Sequence, residues 1–328
     1  MLNRYRTRSA AILPAEVAVV RKEHYDRRMT AAIHVGTSGY SFKDWLGTVY
    51  PAGTKAGDFL SHYAKMFDTV EINSTYYRVP PPSMFANMLK KVPSDFTFVV
   101  KVPKEMTHDR EKLASVVSPF IDSIAPLMEA GQLGGLLAQF PYSFKSTSEG
   151  IDHLKRLADA FAKCETPMNI EFRHTSWYND ETYATLERLG LGFVNVDLPP
   201  LPGLPGASNI VTSDIAYYRL HGRNAKMWWH HPTPSHRYDY LYNDNQLEEW
   251  AQRIEHAATK AKASYIFNNN CHLGQSVVNA LHLHQRLGLP RSTLPPGLAP
   301  EMFEPSTEEL ISQIKERIAQ KQAEESKP

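Results

Sequence analysis

From Ile33 onward, short apolar runs alternate with stretches whose apolar residues recur every three or four positions. Runs of the first kind are buried strands; the second spacing places one apolar stripe along a helix. Strands are predicted at 33–37, 69–73, 96–102, 135–140, 168–172, 192–197, 215–221 and 263–268. Helices are predicted at 56–67, 83–92, about 111–128, 148–162, 180–189, 245–261 and 276–287, while the Pro- and Gly-rich stretch 198–207 predicts a loop. Strands separated by helices return to the same end of a sheet and therefore pair in parallel. Eight of them in series predict an α/β fold, a single (β/α)8 TIM-type barrel with N- and C-terminal extensions. An open doubly wound sheet is the competing architecture, but the first turn, Gly36-Thr37-Ser38-Gly39, lacks a dinucleotide fingerprint and no phosphate-loop pattern occurs.

The barrel is expected to span 31–290. Residues 1–30, with Arg4, Arg6, Arg8, Arg21, Lys22, Arg27 and Arg28, form a basic extension outside it, and 291–328 a C-terminal extension holding an amphipathic helix from Thr307 to about Gln322. With 42% hydrophobic residues among 328, the chain has material for a large core. A formal net charge of +1 argues against a nucleic-acid coat protein, though not against a local basic site. No apolar run approaches the ~20 residues needed to cross a bilayer, so no membrane partner is expected. Two distant cysteines, Cys164 and Cys271, imply no disulfide framework, and the expected setting is cytoplasmic.

The chemistry gathers where the strands end. The second strand ends Glu71-Ile72-Asn73, the third at Lys101, the fourth at Gln139, and the fifth Glu171-Phe172-Arg173. The sixth ends at Asn195 and Asp197, the seventh Arg219-Leu220-His221, and the eighth runs into Asn268, Asn269 and Asn270. Side chains two apart share a face of a strand, so Glu71 with Asn73, Glu171 with Arg173, and Arg219 with His221 are same-face pairs. Burying such pairs beneath helices is costly, which turns them into the mouth of the barrel, where barrel enzymes carry their active sites.

Within that ring, Glu71, Glu171 and His221 are the expected catalytic groups, with His221 as proton carrier because an unperturbed imidazole titrates near neutrality. Lys101, Arg173, Arg219 and Arg223 form an expected anion clamp. Asn73, Gln139, Asn268 and Asn269 would orient the ligand, and Tyr76 and Trp228 would stack on it. The loops after the seventh and eighth strands are a frequent phosphate position in barrels. The expected partner is an anionic small molecule or nucleotide-like ligand, and the expected activity is hydrolase- or lyase-like acid–base chemistry. A single-stranded nucleic-acid binder stacking bases on the Trp228 loop is the alternative. The crowd of cations weakens a glycosidase reading, because it lowers the pKa that a general acid needs raised. No ligand-spaced metal signature is present and no cofactor is expected.

Several segments together resemble a known family. They are Gly36-Thr37-Ser38-Gly39-Tyr40 with Trp45, Thr69 to Arg78, Phe98-Val99-Val100-Lys101-Val102-Pro103 with Thr107-His108, and Gln139-Phe140-Pro141. Glu171-Phe172-Arg173-His174 with Ser176-Trp177, Tyr218 to Arg223, and Phe267-Asn268-Asn269 complete the set. On these the chain resembles the YecE-like family, domain of unknown function 72 (DUF72), over 33 to about 288. The resemblance implies a TIM-type barrel like those of the endonuclease IV and xylose isomerase group, and implies no reaction. Those relatives in fold are metal enzymes, which makes a metal-dependent phosphodiesterase a further alternative, although their full ligand set is not visible here.

Overall fold

A computed structural model describes residues 31–164, 166–289 and 307–325. Its strands are β1 (Ala32–Thr37), β2 (Thr69–Ile72), β3 (Thr97–Lys101), β4 (Leu133–Gln139), β5 (Met168–Glu171), β6 (Gly192–Asp197), β7 (Ile215–Leu220) and β8 (Ala263–Asn268). All pair in parallel, in the order β1-β8-β7-β6-β5-β4-β3-β2. The chain is thus a (β/α)8 barrel, as its alternation predicts.

Closure between β1 and β2 is thin. Among the described residues, a bridge between Ser38 and Glu71 is the one strand pairing there. The helix-borne hydroxyl of Tyr63 does much of the remaining work: it lies 2.9 Å from the Thr37 amide, which donates to it, and donates to the Thr69 carbonyl at 3.1 Å. Gly36 has to lack a side chain here, since a Cβ would collide with the Thr69 carbonyl and lie 2.9 Å from the Tyr63 hydroxyl.

Helices α1 (Phe59–Tyr63), α2 (Pro82–Leu89), α3 (Lys104–Thr107), α4 (Leu113–Glu129), α5 (Ser148–Phe161), α6 (Asp180–Arg188), α7 (Asp244–Ala258) and α8 (Gln275–Arg286) accompany the strands, and α9 (Thr307–Glu325) follows. Caps fix several starts: Thr147 accepts from the Gly150 amide, Asn179 from Thr182, and Asn243 with Gln246 forms a reciprocal box. The predicted helix at 56–67 is reduced to a 3-10 turn, Ala56–Asp58, and the five residues of α1. The short α3 was not expected. No helix separates β6 from β7, in keeping with the predicted loop, which Asn195 pins by accepting from the Ile210 amide at 2.8 Å and donating to its carbonyl at 2.8 Å. That bond turns Asn195 outward, away from the mouth.

The alternation of side chains splits the core into two layers. Val99, Leu137, Val194, Ile215, Tyr217, Tyr265 and Phe267 fill the barrel interior. Phe98, Ile170, Phe193, Tyr218 and Ile266 face outward to helical residues such as Phe120, Leu154, Trp250 and Leu281. Helix α9 adds Ile311, Ile314 and Ile318, all buried. Its Arg317 and Lys321 donate to the carbonyls of Thr48 and Asp44, on the loop after β1. The expected basic extension, residues 1–30, and the first part of the expected C-terminal extension, 291–306, lie outside the described residues. Among those described, no helix is long and apolar enough to cross a membrane.

Candidate active site at the barrel mouth

The strand phase that points Tyr217 into the barrel also points Arg219 and then His221 there, and the phase of β5 does the same for Glu171 and Arg173. At the centre stands the buried Arg219. Its Nε donates to Glu71 Oε2 at 2.9 Å, its Nη2 to Glu71 Oε1 at 2.7 Å, and its Nη1 to Glu171 Oε2 at 2.5 Å. Glu71 also accepts from the Tyr217 hydroxyl at 2.7 Å and from Asn73 Nδ2 at 3.0 Å. Glu171 Oε1 pairs with Arg173 Nε and lies 3.4 Å from His221 Nε2. Tyr217 and Ser38, whose hydroxyl Arg219 Nη2 reaches at 3.4 Å, were missed by the sequence reading. The spacing of Tyr217, two before Arg219, carried that signal.

This network alters the roles expected of its members. Burial alone would raise the Glu171 carboxyl, but Arg173 and Arg219 outweigh it and hold it well below the usual carboxylate range. Glu171 therefore stays ionised and suits orientation better than proton donation. Burial, helped by Arg173, pulls His221 down to about 3 against the opposing pull of Glu171. Its ring is therefore held neutral near pH 7. Asn269 Nδ2 lies 2.8 Å from His221 Nδ1; with the amide as donor, the ring proton sits on Nε2, toward Glu171.

Lys101 takes over the titrating position. Its Nζ donates to Gln139 Oε1 at 2.8 Å and lies 4.4 Å from the centre of the Tyr76 ring. Among the described residues it has no carboxylate in ion-pair contact. Burial first, then Arg219 and Arg173, lower the amine to about 7, against the raising influence of Glu171 and Glu71. Lys101, Arg173 and Arg219 present themselves to a cavity of about 860 Å³ that Asn73, Tyr76, Gln139 and Asn269 also line.

Three expected ligand contacts lie elsewhere. Asn268 points out of the barrel, its buried amide donating to the Gly36 carbonyl at 3.3 Å; of the two amides, Asn269 shares the inward phase of Phe267. Arg223 binds Asp197 at 2.9 Å and stands over the Tyr242 ring, away from the cavity. Trp228 is 2% exposed and packs as a plug with the interior cluster, next to Tyr238 and beneath Arg237, which removes it as a stacking platform. The thiol of Cys271 borders the cavity, but burial pushes it up to about 12 and keeps it protonated. The expected anion position ahead of α8 is filled from within, since the Leu273 amide donates to the Asp44 carboxylate at 2.8 Å. Among the described residues, no three His, Cys, Asp or Glu side chains gather as metal ligands would.

Comparison with known proteins agrees with this architecture. The family model described as "Protein of unknown function DUF72" matches residues 34–303. The UPF0759 protein YunF of Bacillus subtilis is 25% identical over 289 residues, 83% of this chain and 99% of its own. The crystal structure of a DUF72 family protein from Thermotoga maritima is 40% identical, with a TM-score of 0.72 over 78% of this chain and 99% of that one. One from Enterococcus faecalis is 28% identical, with a TM-score of 0.71 over 81% of this chain and 99% of that one. With the family model spanning the barrel from its first strand past its last, the chain belongs to the DUF72 family.

Proposed function

We propose that the mouth is the active site of an enzyme that binds a small anionic molecule and performs acid–base chemistry on it, of the hydrolase or lyase kind. One observation carries this reading: two buried carboxylates face three cationic side chains, and the unmatched one, Lys101, opens on the cavity. Glu71 and Glu171 are held by Arg219 and Arg173, so an incoming anion would be the missing partner of Lys101 and of the outer edge of Arg173. Arg219, with both carboxylates on its fork, is better suited to hold the site together than to clamp a ligand. Asn73, Gln139 and Asn269 supply neutral donors and acceptors, and Tyr76 an aromatic wall. With Glu171 ionised and His221 neutral, Lys101 is the group able to exchange a proton near pH 7.

Thermal-shift titration of the full chain with phosphate- and carboxylate-bearing small molecules tests the proposal. At least one should raise the melting temperature, and Arg173→Ala should weaken its binding by about tenfold or more, as for a charge-assisted hydrogen bond. Indifference of the chain to every anion, or unchanged affinity in Arg173→Ala, would overturn it.

A further inference from the structure

We propose that Lys101 forms an imine with the ligand, so that the substrate of the mouth is an anionic aldehyde or ketone. The inference rests on the anion-binding reading of the same cavity and adds the functional group that reacts there. Lysines Lys104, Lys155 and Lys262 pair with carboxylates at the surface, half or more exposed in two of the three cases. Lys101 instead ends β3 within the ring of strand ends, with a carbonyl oxygen of Gln139 fixing one of its N–H bonds. The groups around it are Arg219 from β7, Glu171 and Arg173 from the end of β5, Glu71 from β2, and Tyr76 and His108 from the neighbouring loops. Both carboxylates are already turned onto guanidiniums, so neither anchors the ammonium form. A desolvated amine beside other cations is the setting in which lysine acts as a nucleophile. Its lowered proton affinity, to about 7, agrees with that setting.

In the covalent step, the Nζ lone pair forms a bond to the carbonyl carbon, and the π pair moves to oxygen, which takes a proton from water in the open cavity. The nitrogen gives up one proton to solvent, leaving a neutral carbinolamine. Protonation of its hydroxyl releases water as the nitrogen lone pair closes the C=N bond, so amine, carbonyl and one proton from solvent yield iminium and water with no oxidant required. The iminium then accepts the electron pair of a bond on the adjacent carbon, which is lyase chemistry. Arg173, which lines the same cavity, suits the carboxylate or phosphate of such a substrate.

The test uses the full chain at pH 7 with pyruvate and with glycolaldehyde phosphate, each trapped by cyanoborohydride and mapped by peptide mass spectrometry. At this pH about half of an amine with a pKa near 7 is free, against well under one in a thousand for an ordinary lysine, so labelling at Lys101 should exceed the average lysine by on the order of tenfold or more. Labelling should rise with half-maximum near pH 7, and inorganic phosphate should protect Lys101 selectively. Lys101→Arg should lose the adduct while phosphate still raises its melting temperature; the protection experiment on the unaltered chain stands if that variant does not fold. Absence of an adduct at Lys101 with both probes, or adducts spread in proportion to exposure, overturns the imine. If a phosphate- or carboxylate-bearing anion nonetheless stabilises the chain, the anion-binding reading survives; if none does, both fall.

Discussion

Arg219 shows at the scale of one residue how the mouth is held. It joins two fully buried carboxylates, and removing it would leave both without their principal counter-charge. Arg219→Ala is expected to cost on the order of 3–5 kcal/mol in urea denaturation, the range for breaking a buried ion pair from one side. His221 yields a second expectation, on acid stability. Its proton affinity is lower in the folded chain than in the unfolded one, so the unfolded state binds the proton first as pH falls below about 6.5. Stability is therefore fully present above that pH and declines toward pH 3, by about 2 kcal/mol near pH 5 from this residue. The difference in unfolding free energy between pH 7.5 and pH 5 should shrink by about that amount in His221→Gln; an unchanged difference would refute the assignment. The sequence showed which residues share a face with Arg219 and His221, because that follows from a period of two. It could not show that His221 is held neutral, because burial and the approach of Arg173 come from the closed barrel.

At the scale of elements, loops and strand ends differ in legibility. The sequence identified all eight strands, but choosing between Asn268 and Asn269 needed the phase of β8, which the packing of Tyr265 and Phe267 into the interior decides. The long loop after β7 was expected to offer a stacking surface at Trp228, and the fold instead packs that indole as a plug. Trp228→Ala should accordingly cost about 3–5 kcal/mol, the usual penalty for emptying a buried aromatic position, measured by thermal or urea unfolding. A variant as stable as the parent would mean that the indole is not packed as described. Helix α9, whose amphipathic stripe was visible in the sequence, reaches back to the loop after β1 through Arg317 and Lys321. That contact joins residues more than 250 apart and has no signature in local periodicity.

For the whole molecule, charge and topology have separate consequences. The net charge is +1, so the proposed attraction of an anion to the mouth would be a local matter and not the work of a broad field. Affinity for a small anion should change by less than about tenfold between low and moderately high salt, because the partners are partly buried and weakly screened. A steep salt dependence would instead point to a polyanion bound across the surface. The fold class was legible because eight buried strands, all but one followed by an amphipathic helix before the next strand or the chain's continuation, leave few ways to hide their apolar faces; the chemistry was legible only as an inventory of strand ends, since their pairing is set in three dimensions.

The join between β1 and β2 bears on how such a ring responds to a guest. Where neighbouring staves share a row of backbone hydrogen bonds, this seam leans, among the described residues, on one tyrosine hydroxyl and a single rung at Glu71. Breathing of the cylinder is expected to start there, beside the cavity that Ser38 and Asn73 line. A molecule that gripped Ser38 on one side and Asn73 on the other would act as a cross-tie, slowing amide exchange along the two strands while it stayed. Tyr63→Phe, which removes the native tie for about 1–3 kcal/mol, should make that tightening larger.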